Sequence, residues 1–214
     1  TKNNTGWRML SGIVCADITS EALEILKTRE SKTFIMTNHE LVNLNKNSMY
    51  KGKNIRQLGD DFIIQDSPTF IPRFENDESF SLEGYTEMQE ENNHSIPKQD
   101  LLLAWAICST SNSNTITIVR DGMLLANGVG QQSRVRGAKL AISNGEHTFT
   151  LHEDILPGFN NSVAWSDSFF PFPDAVEVLS NNGIKVIGTT LGSKNDQKVI
   201  DYAKSKRVLL ITYP

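Results

Sequence analysis

The segment from Gly128 to Arg134, GVGQQSR, has the residue types of an anion-binding loop. Glycines let a backbone come close to a ligand, and the N–H groups at the start of a helix attract negative charge. Arg134 can hold a phosphate or a carboxylate through two parallel hydrogen bonds. A tight turn after a hairpin also accounts for Gly128 and Gly130 and is the simpler interpretation, so the loop by itself leaves both open.

Residues 166–174, SDSFFPFPD, place aromatic rings between acidic side chains. The rings could stack on a flat ligand, and Asp167 or Asp174 could accept hydrogen bonds from its N–H groups. The alternative is structural, because Pro173 and Asp174 suit the first turn of a helix and phenylalanines usually fill cores. On this segment alone both interpretations stay open.

Two further positions combine polar groups with the start or end of a predicted element. Gly192 and Ser193 begin a predicted helix with N–H donors, although a simple N-cap, with Ser193 paired to Asp196, explains them too. Asn114 follows an apolar helix, where its amide could read a polar heterocycle with one donor and one acceptor. By default this residue closes a turn, as the polar residues before it indicate.

Metal chemistry and histidine catalysis find no support in the sequence. None of the four histidines has an evident catalytic partner, and no motif has the spacing of zinc ligands. We therefore predict no metal site. Cys15 and Cys108 lie in apolar runs, which is typical of buried free thiols in a reducing compartment.

The composition narrows the classes of function. The 214 residues carry 21 basic and 25 acidic side chains, a net charge of −4, which argues against general binding of nucleic acid. No apolar run is long enough to span a bilayer. We expect a cytoplasmic protein that binds neither nucleic acid nor membrane.

Strand-like and helical patterns alternate in the first half of the chain. The predicted elements are a strand at 11–16, a capped helix at 19–26, a strand at 33–36 and, after a polar loop, a strand at 61–65. This order favours a parallel sheet covered by helices. We assign residues 1–75 to a partial first α/β subdomain and the acidic residues 76–97 to a linker or loop.

The second half, residues 98–214, has a clearer pattern. An apolar, buried helix runs from Pro97 to Cys108, and Asp121-Gly122 forms the turn of a hairpin. The other predicted elements are helices at 135–142 and 174–179, a strand at 185–188, a helix that starts near 192–196 and a strand at 208–212. The order hairpin–α–α–β–α–β indicates a second α/β subdomain.

Taken together and in order, these segments resemble the aminoimidazole carboxamide ribonucleotide (AICAR) transformylase domain. That domain is the C-terminal part of the bifunctional purine-biosynthesis enzyme that also carries IMP cyclohydrolase. The matching segments are DLLLAW at 100–105, Ser113-Asn114, Arg120-Asp121-Gly122, GVGQQSR, SDSFFPFPD and Leu191-Gly192-Ser193. Residues 12–66 are more loosely similar, so the resemblance covers most of the chain and is most specific between Asp100 and Ile200.

The resemblance implies a three-layer αβα fold of cytidine-deaminase-like units with mixed sheets, and a homodimer. It implies formyl transfer from 10-formyltetrahydrofolate to AICAR in de novo purine (IMP) biosynthesis, without a metal. The implied site residues are Asn114 for catalysis; Asn114, Arg134, Phe169, Gly192 and Ser193 for the substrate; and Phe169, Phe170, Pro171 and Asp174 for the folate. On this basis Arg134→Ala is expected to weaken ribonucleotide binding and to leave the free energy of unfolding nearly unchanged.

The chain also departs from the family pattern. It contains no Lys-His dipeptide, the catalytic pair that the resemblance places upstream, and Cys15-Ala16-Asp17 stand where an Ala-Pro-Gly turn is usual. We expect either a fragment of a longer enzyme or a short relative that lacks part of the site. The alternative function is a non-catalytic nucleotide-binding or dimerising relative; a zinc deaminase is disfavoured because the zinc ligands are missing.

Overall fold

The computed structural model describes residues 12–27, 34–44, 52–66, 81–83, 97–152 and 154–213. It has the predicted α/β class, with helices and mixed sheets. The chain divides into two compact units, residues 1–71 and 72–214, and each is described separately. In the part of the chain that the structure describes, no helix has the length and apolar character needed to cross a membrane.

The first unit begins with the predicted strand–helix–strand order. Strand β1 (Gly12–Cys15) pairs in parallel with β2 (Phe34–Thr37), and helix α1 (Ser20–Lys27) lies between them in sequence. The hydroxyl of Thr19 caps α1 by accepting a hydrogen bond from the N–H of Ala22 at 3.2 Å. A short 3-10 helix (His39–Asn43) follows.

The same unit contains a hairpin that the sequence pattern predicted only in half. Strand β4 (Asp61–Asp66) was expected, whereas β3 (Lys53–Leu58) falls in the segment predicted as a polar loop. The two strands pair antiparallel, with Ile55 opposite Ile64. All residues of both strands are exposed. The alternation of buried and exposed side chains that usually identifies a strand is therefore missing from β3.

The second unit is built on one six-stranded sheet in the order β5-β10-β9-β8-β6-β7. Strands β8, β9 and β10 are parallel neighbours, and the other pairs are antiparallel, so the sheet is mixed. The strands are β5 (Ser81–Glu83), β6 (Ile116–Arg120), β7 (Met123–Gly128), β8 (Val163–Ser166), β9 (Val186–Thr190) and β10 (Leu209–Tyr213).

Helices cover both faces of this sheet and confirm the predicted three layers. On one face, α2 (Lys98–Ser109) packs through Leu101, Ala104 and Cys108 on Val119 and Trp165. On the other face lies a larger core under three helices: α3 (Arg134–Leu151), α4 (Asp174–Asn181) and α5 (Asp196–Ser205). Only one side of α2 is fully buried, which corrects the expectation that the whole helix is buried.

Three differences from the predicted elements concern the second unit. The central strand β8 was not predicted, and α3 continues nine residues beyond its predicted end at Ile142, to Leu151. Residues 81–83, within the segment predicted as a linker, form the edge strand β5 against β10. The rest of that segment, apart from Pro97, lies outside the described residues.

Two of the matching motifs, DLLLAW and Arg120-Asp121-Gly122, form hydrogen bonds that connect the hairpin β6–β7 to α2 and to the loop before β8. The buried carboxylate of Asp100, in the first turn of α2, accepts hydrogen bonds from the N–H groups of Asp121 at 2.9 Å and Gly122 at 2.7 Å. Both turn residues have positive φ, 54° and 72°, as the Asp-Gly pair predicts. The buried guanidinium of Arg120 donates to the carbonyl of Gly158 at 2.7 Å. These residues are therefore structural.

Candidate functional site at one end of the sheet

The predicted site residues gather at one end of the six-stranded sheet. Strand β6 starts there, while β7 and β8 end there, because Ile116 lies opposite Gly128 on one side and Ser166 on the other. The parallel strand β9 ends at the same edge. Loops beyond the carboxyl ends of parallel strands are a common place for ligand sites in α/β proteins.

Asn114 is held against the GVGQQSR loop by its backbone and its side chain. Its backbone N–H and its Nδ2 donate to the carbonyl of Gln131 at 3.1 and 2.7 Å, and the N–H of Gln131 donates back to the carbonyl of Asn114 at 3.0 Å. The Ser113–Asn114 peptide is cis. With Nδ2 bonded to the backbone, the side-chain oxygen of Asn114 faces Arg134.

Arg134 is the first residue of α3, directly after the N-cap Ser133. Its Nη1 donates to Oδ1 of Asn114, its Nε donates to the carbonyl of Ser168 at 3.1 Å, and its Nη2 lies 3.7 Å from Oδ1 of Asp167. The side chain is 10% exposed. A guanidinium carries five N–H donors, so these contacts leave donors for a ligand.

The glycines of the GVGQQSR loop have different surroundings. A Cβ on Gly128 would lie 2.1 Å from the carbonyl oxygen of Gly137, a residue of α3. Gly128 therefore lets the helix backbone pack directly on β7, which is the structural alternative for this residue. The N–H of Gly130 donates to the carbonyl of Asn112 at 2.9 Å and is also used within the protein.

The SDSFFPFPD segment separates its phenylalanines between core and surface. Phe170 is 2% exposed and belongs to the core under α3, α4 and α5, which corrects its prediction as a folate-facing residue. Phe172, for which a core position was one of two possibilities, is 58% exposed. Phe169 is partly exposed and faces Gly192, on which a Cβ would lie 3.5 Å from its ring. Phe169 directly follows Ser168, whose carbonyl accepts a hydrogen bond from Arg134.

The predicted helix start at Gly192 and Ser193 is occupied by an internal carboxylate. Helix α5 begins at Asp196, whose Oδ2 and Oδ1 accept from the N–H groups of Gly192 at 2.8 Å and Ser193 at 3.0 Å. The predicted pairing of Ser193 with Asp196 is present in this form. Of the two interpretations given for these residues, the structure has the internal cap, because Asp196 accepts from both N–H groups.

The remaining predicted positions lie along the rim of the same loops. The carbonyl of Pro171 accepts a hydrogen bond from Nδ2 of Asn195 at 2.9 Å, which ties this segment to the loop after β9. Asp174 is exposed at the start of α4, and its Oδ1 accepts from the N–H of Ala175 at 2.9 Å. Asp174 is thus accessible, but the structure brings it into no contact with Asn114 or Arg134 among the described hydrogen bonds.

Two residues of this site were not identified from the sequence in the roles they have. The sequence suggested Asp167 as a ligand acceptor, yet its Oδ1 accepts from the N–H of Thr115 at 2.8 Å. Thr189, at the end of β9, donates through its hydroxyl to the carbonyl of Ser168 at 3.1 Å. Neither has a spacing that marks it in sequence, because both partners are distant along the chain.

Cys108 lies beneath this end of the sheet and is chemically quiet. Burial raises the pKa of its thiol to about 12, and the thiol contacts the carbonyl of Trp165 at 3.4 Å. A thiol with so high a pKa is not a nucleophile near neutral pH. This residue confirms the prediction of a buried free cysteine, whereas Cys15 is only partly buried.

One protein family and several curated proteins are similar to this chain in sequence. The AICARFT/IMPCHase bienzyme family matches residues 4–144. The bifunctional purine biosynthesis protein PurH of Prochlorococcus marinus strain MIT 9312 is 30% identical over 204 residues, which are 94% of this chain and 35% of that protein. PurH of Mycobacterium ulcerans strain Agy99 is 39% identical over 111 residues, 52% of this chain and 19% of that protein. The chain thus spans about a third of the length of the first of these curated relatives.

Among solved structures, the chain is similar to a dCMP deaminase from the cyanophage S-TIM5 in apo form. The TM-score is 0.36 at 14% sequence identity, and the similarity covers 54% of this chain and 98% of that chain. A likeness of this size supports no assignment of fold or function. The deaminase-like architecture of the units therefore stays a prediction.

Proposed function

This chain belongs to the AICARFT/IMPCHase bienzyme family, and from that premise we propose that it takes part in purine biosynthesis by transferring a formyl group to AICAR. The donor in this proposal is 10-formyltetrahydrofolate. The observation that carries it is the contact series Asn114–Arg134–Ser168, which brings three separate matching motifs together at one end of the sheet. Residues distant in sequence meet there beside the partly exposed ring of Phe169.

The proposed reaction needs three things from its site. A weakly nucleophilic amine must be oriented, a proton must be accepted, and a tetrahedral oxyanion must be stabilised. In the proposal Asn114 and Arg134 perform the first task, because the amide is fixed and the guanidinium keeps unused N–H donors. Gly192 and Ser193 are still proposed to lie next to the substrate, because Gly192 lies beside the ring of Phe169. Their N–H groups are not proposed as donors to it.

The folate side of the site is proposed on the other side of the Phe169 ring. Phe169 and Pro171 present partly exposed apolar surface, and Asp174 presents an accessible carboxylate that can accept hydrogen bonds from ring N–H groups. Phe172, exposed two residues before Asp174, joins this proposed surface. Phe170 does not, because it lies in the core.

AICAR binding tests the proposal through thermal stability. A ligand at 100 times its Kd stabilises the native state by about 2.7 kcal/mol, so saturating AICAR is expected to raise the Tm by several degrees. Arg134→Ala is expected to reduce that rise, because it weakens AICAR binding. Arg136→Ala is the matched control, because Arg136 is two residues along the same helix and exposed. The absence of a Tm rise in the unaltered chain, with AICAR and with folate, would refute the proposal.

A second candidate is a non-catalytic relative that binds the nucleotide and does not transfer the formyl group. The observation that favours it is that the two side chains joined at the site, the amide of Asn114 and the guanidinium of Arg134, can bind a nucleotide but cannot accept a proton as a general base. Spectroscopic assay of formyl transfer, run on the natural protein that contains this chain, separates the two candidates. AICAR binding together with turnover supports the transferase, and binding without turnover supports the second candidate.

We also propose a cytoplasmic homodimer, as the family resemblance implies. Exposed apolar side chains on both strands of the β3–β4 hairpin, among them Ile55, Phe62 and Ile64, support the presence of a partner surface. Light scattering after size exclusion is expected to give twice the chain mass of 23.9 kDa. A monomer mass at high micromolar concentration would exclude the dimer.

A further inference from the structure

Asp167 lies between the two loops that carry Asn114 and Arg134. Its backbone N–H donates to the carbonyl of Thr115 at 3.2 Å, and its Oδ1 accepts from the N–H of the same residue at 2.8 Å. That oxygen is also 3.7 Å from Nη2 of Arg134. One carboxylate oxygen therefore faces both the residue after Asn114 and the guanidinium of Arg134.

Both side chains of the pair are largely shielded from water. The side chains of Asp167 and Arg134 are 12% and 10% exposed. A charge that is mostly removed from water needs an opposite charge and hydrogen bonds to remain there. Arg134 obtains its hydrogen bonds from neutral oxygens of Asn114 and Ser168, so within the described ion pairs Asp167 supplies its countercharge.

The backbone around Asp167 is fixed independently of its carboxylate. The carbonyl of Ser168 accepts from the hydroxyls of Ser166 at 2.7 Å and Thr189 at 3.1 Å, besides Nε of Arg134. Removal of the Asp167 charge therefore leaves the loop anchored. The guanidinium would keep its two neutral acceptors and lose the group that fixes Nη2.

We propose that Asp167 is a positioning residue, which holds the guanidinium of Arg134 in the orientation that receives the ribonucleotide. The inference rests on the proposed function for its ligand, AICAR. Asp167 acts through Arg134 and touches no substrate itself. Its second task is to satisfy the N–H of Thr115, and the two tasks can be separated because only the first needs a charge.

Asp167→Asn is the variant that separates them. The amide oxygen of asparagine can still accept from the N–H of Thr115, while the negative charge beside Arg134 is lost. Asp167→Ala removes both and serves as the structural comparison. A purely structural role predicts that asparagine behaves like the unaltered chain and that only alanine is harmful.

The experiment is an AICAR titration by calorimetry of the unaltered chain, Asp167→Asn, Asp167→Ala, Arg134→Ala and the double variant Asp167→Asn/Arg134→Ala. Asp167→Asn is expected to raise the Kd about 10-fold or more, the range seen when a partner that orients a binding residue is removed from metal sites. When Arg134 is already alanine, adding Asp167→Asn is expected to change the Kd less than about 2-fold, because residues that act together have non-additive effects. Unchanged affinity in Asp167→Asn, or equal losses in both backgrounds, would overturn the proposal.

A second measurement does not depend on AICAR. The Nη2 protons of Arg134 face Oδ1 of Asp167, 3.7 Å from the nitrogen, so their NMR resonance is expected to be protected from exchange with water in the unaltered chain. Asp167→Asn is expected to speed that exchange at least several-fold. Protected exchange that Asp167→Asn leaves unchanged would show that Asp167 does not position Arg134. If the unaltered chain binds no AICAR, the proposed function fails and this resonance still decides the role of Asp167.

Discussion

Strands of the two units differ sharply in what covers them. All five residues of β6 in the second unit are buried, whereas all six residues of β3 and all six of β4 in the first unit are exposed. Helices cover both faces of the second sheet, and the hairpin of the first unit keeps isoleucines at its surface. Strand burial here follows from the covering helices and not from the hydrophobicity of the strand alone.

This difference bears on where the candidate site lies. Every predicted site residue belongs to the second unit, at the end of its covered sheet. Rigid, well-packed elements hold functional groups in place more accurately than loosely packed ones do. The contrast between the units predicts that equal substitutions will have unequal costs, which the following variants measure.

The largest expected contrast compares one phenylalanine from each unit. Phe170→Ala removes a core ring and is expected to lower the free energy of unfolding by about 3–5 kcal/mol. Phe62→Ala, in β4, removes a ring that is 59% exposed and is expected to cost less than about 1 kcal/mol. Urea denaturation measures both. Equal losses would mean that the hairpin ring is buried in solution and would remove the contrast.

The free energy of unfolding should depend on pH through Cys108, which lies in the core of the second unit. The pKa of Cys108 is raised from 9.0 to about 12 in the folded chain, so its neutral thiol contributes stability that is fully present below pH 9. Between pH 9 and 12 the unfolded chain loses the thiol proton first, and stability should fall by at most about 1.4 kcal/mol per pH unit. Cys108→Ala is expected to flatten this part of the stability profile.

Thiol labelling gives the companion measurement at pH 8. Cys15 is partly buried and is expected to react with a disulfide reagent in the native chain, while Cys108 reacts only after unfolding. The reagent should therefore count one fast thiol in native buffer. Fast labelling of both would show that the core beneath the site opens readily.

The smallest contrast concerns glycines. Gly128→Ala would place a Cβ 2.1 Å from a backbone oxygen of α3, and the required shift of the helix is expected to cost about 1–3 kcal/mol. Gly12→Ala in β1 is the matched substitution, where the nearest atom would be 3.3 Å away and the expected cost is under about 1 kcal/mol. Thermal unfolding measures both. A neutral Gly128→Ala would mean that α3 does not pack directly on β7.

Much of the fold follows from local pattern. The Asp-Gly turn predicted the β6–β7 hairpin, and capping with apolar spacing predicted α1, α4 and α5. The central strand β8 was missed because four buried residues, Val163 to Ser166, show no alternation. The predicted helix ends too early, at Ile142, because the last turns of α3, with Thr148 and Phe149, have the β-branched and aromatic residues typical of a strand. Tertiary contacts extend it, since Thr148 bonds to the carbonyl of Leu125 and Phe149 packs on Phe159.

The sequence indicated candidate residues for the site but not the contacts between them. Motif order indicated Asn114, Arg134 and Phe169, which the structure brings to one end of the sheet. Sequence could not reveal that Arg134 is mostly buried and bonded to Asn114 and Ser168. We therefore revise the expectation for Arg134→Ala, which should weaken ligand binding and also lower the free energy of unfolding by about 1–3 kcal/mol.

The most direct measurement of the central claim is an NMR titration of the isotope-labelled chain with AICAR. The claim predicts that the largest amide shifts fall on residues 112–115, 130–134 and 167–169, the loops at one end of the second unit's sheet. The Arg134→Ala variant should need a higher AICAR concentration to show the same shifts. Shifts that cluster in the first unit, or an unchanged spectrum at saturating AICAR, would contradict the claim.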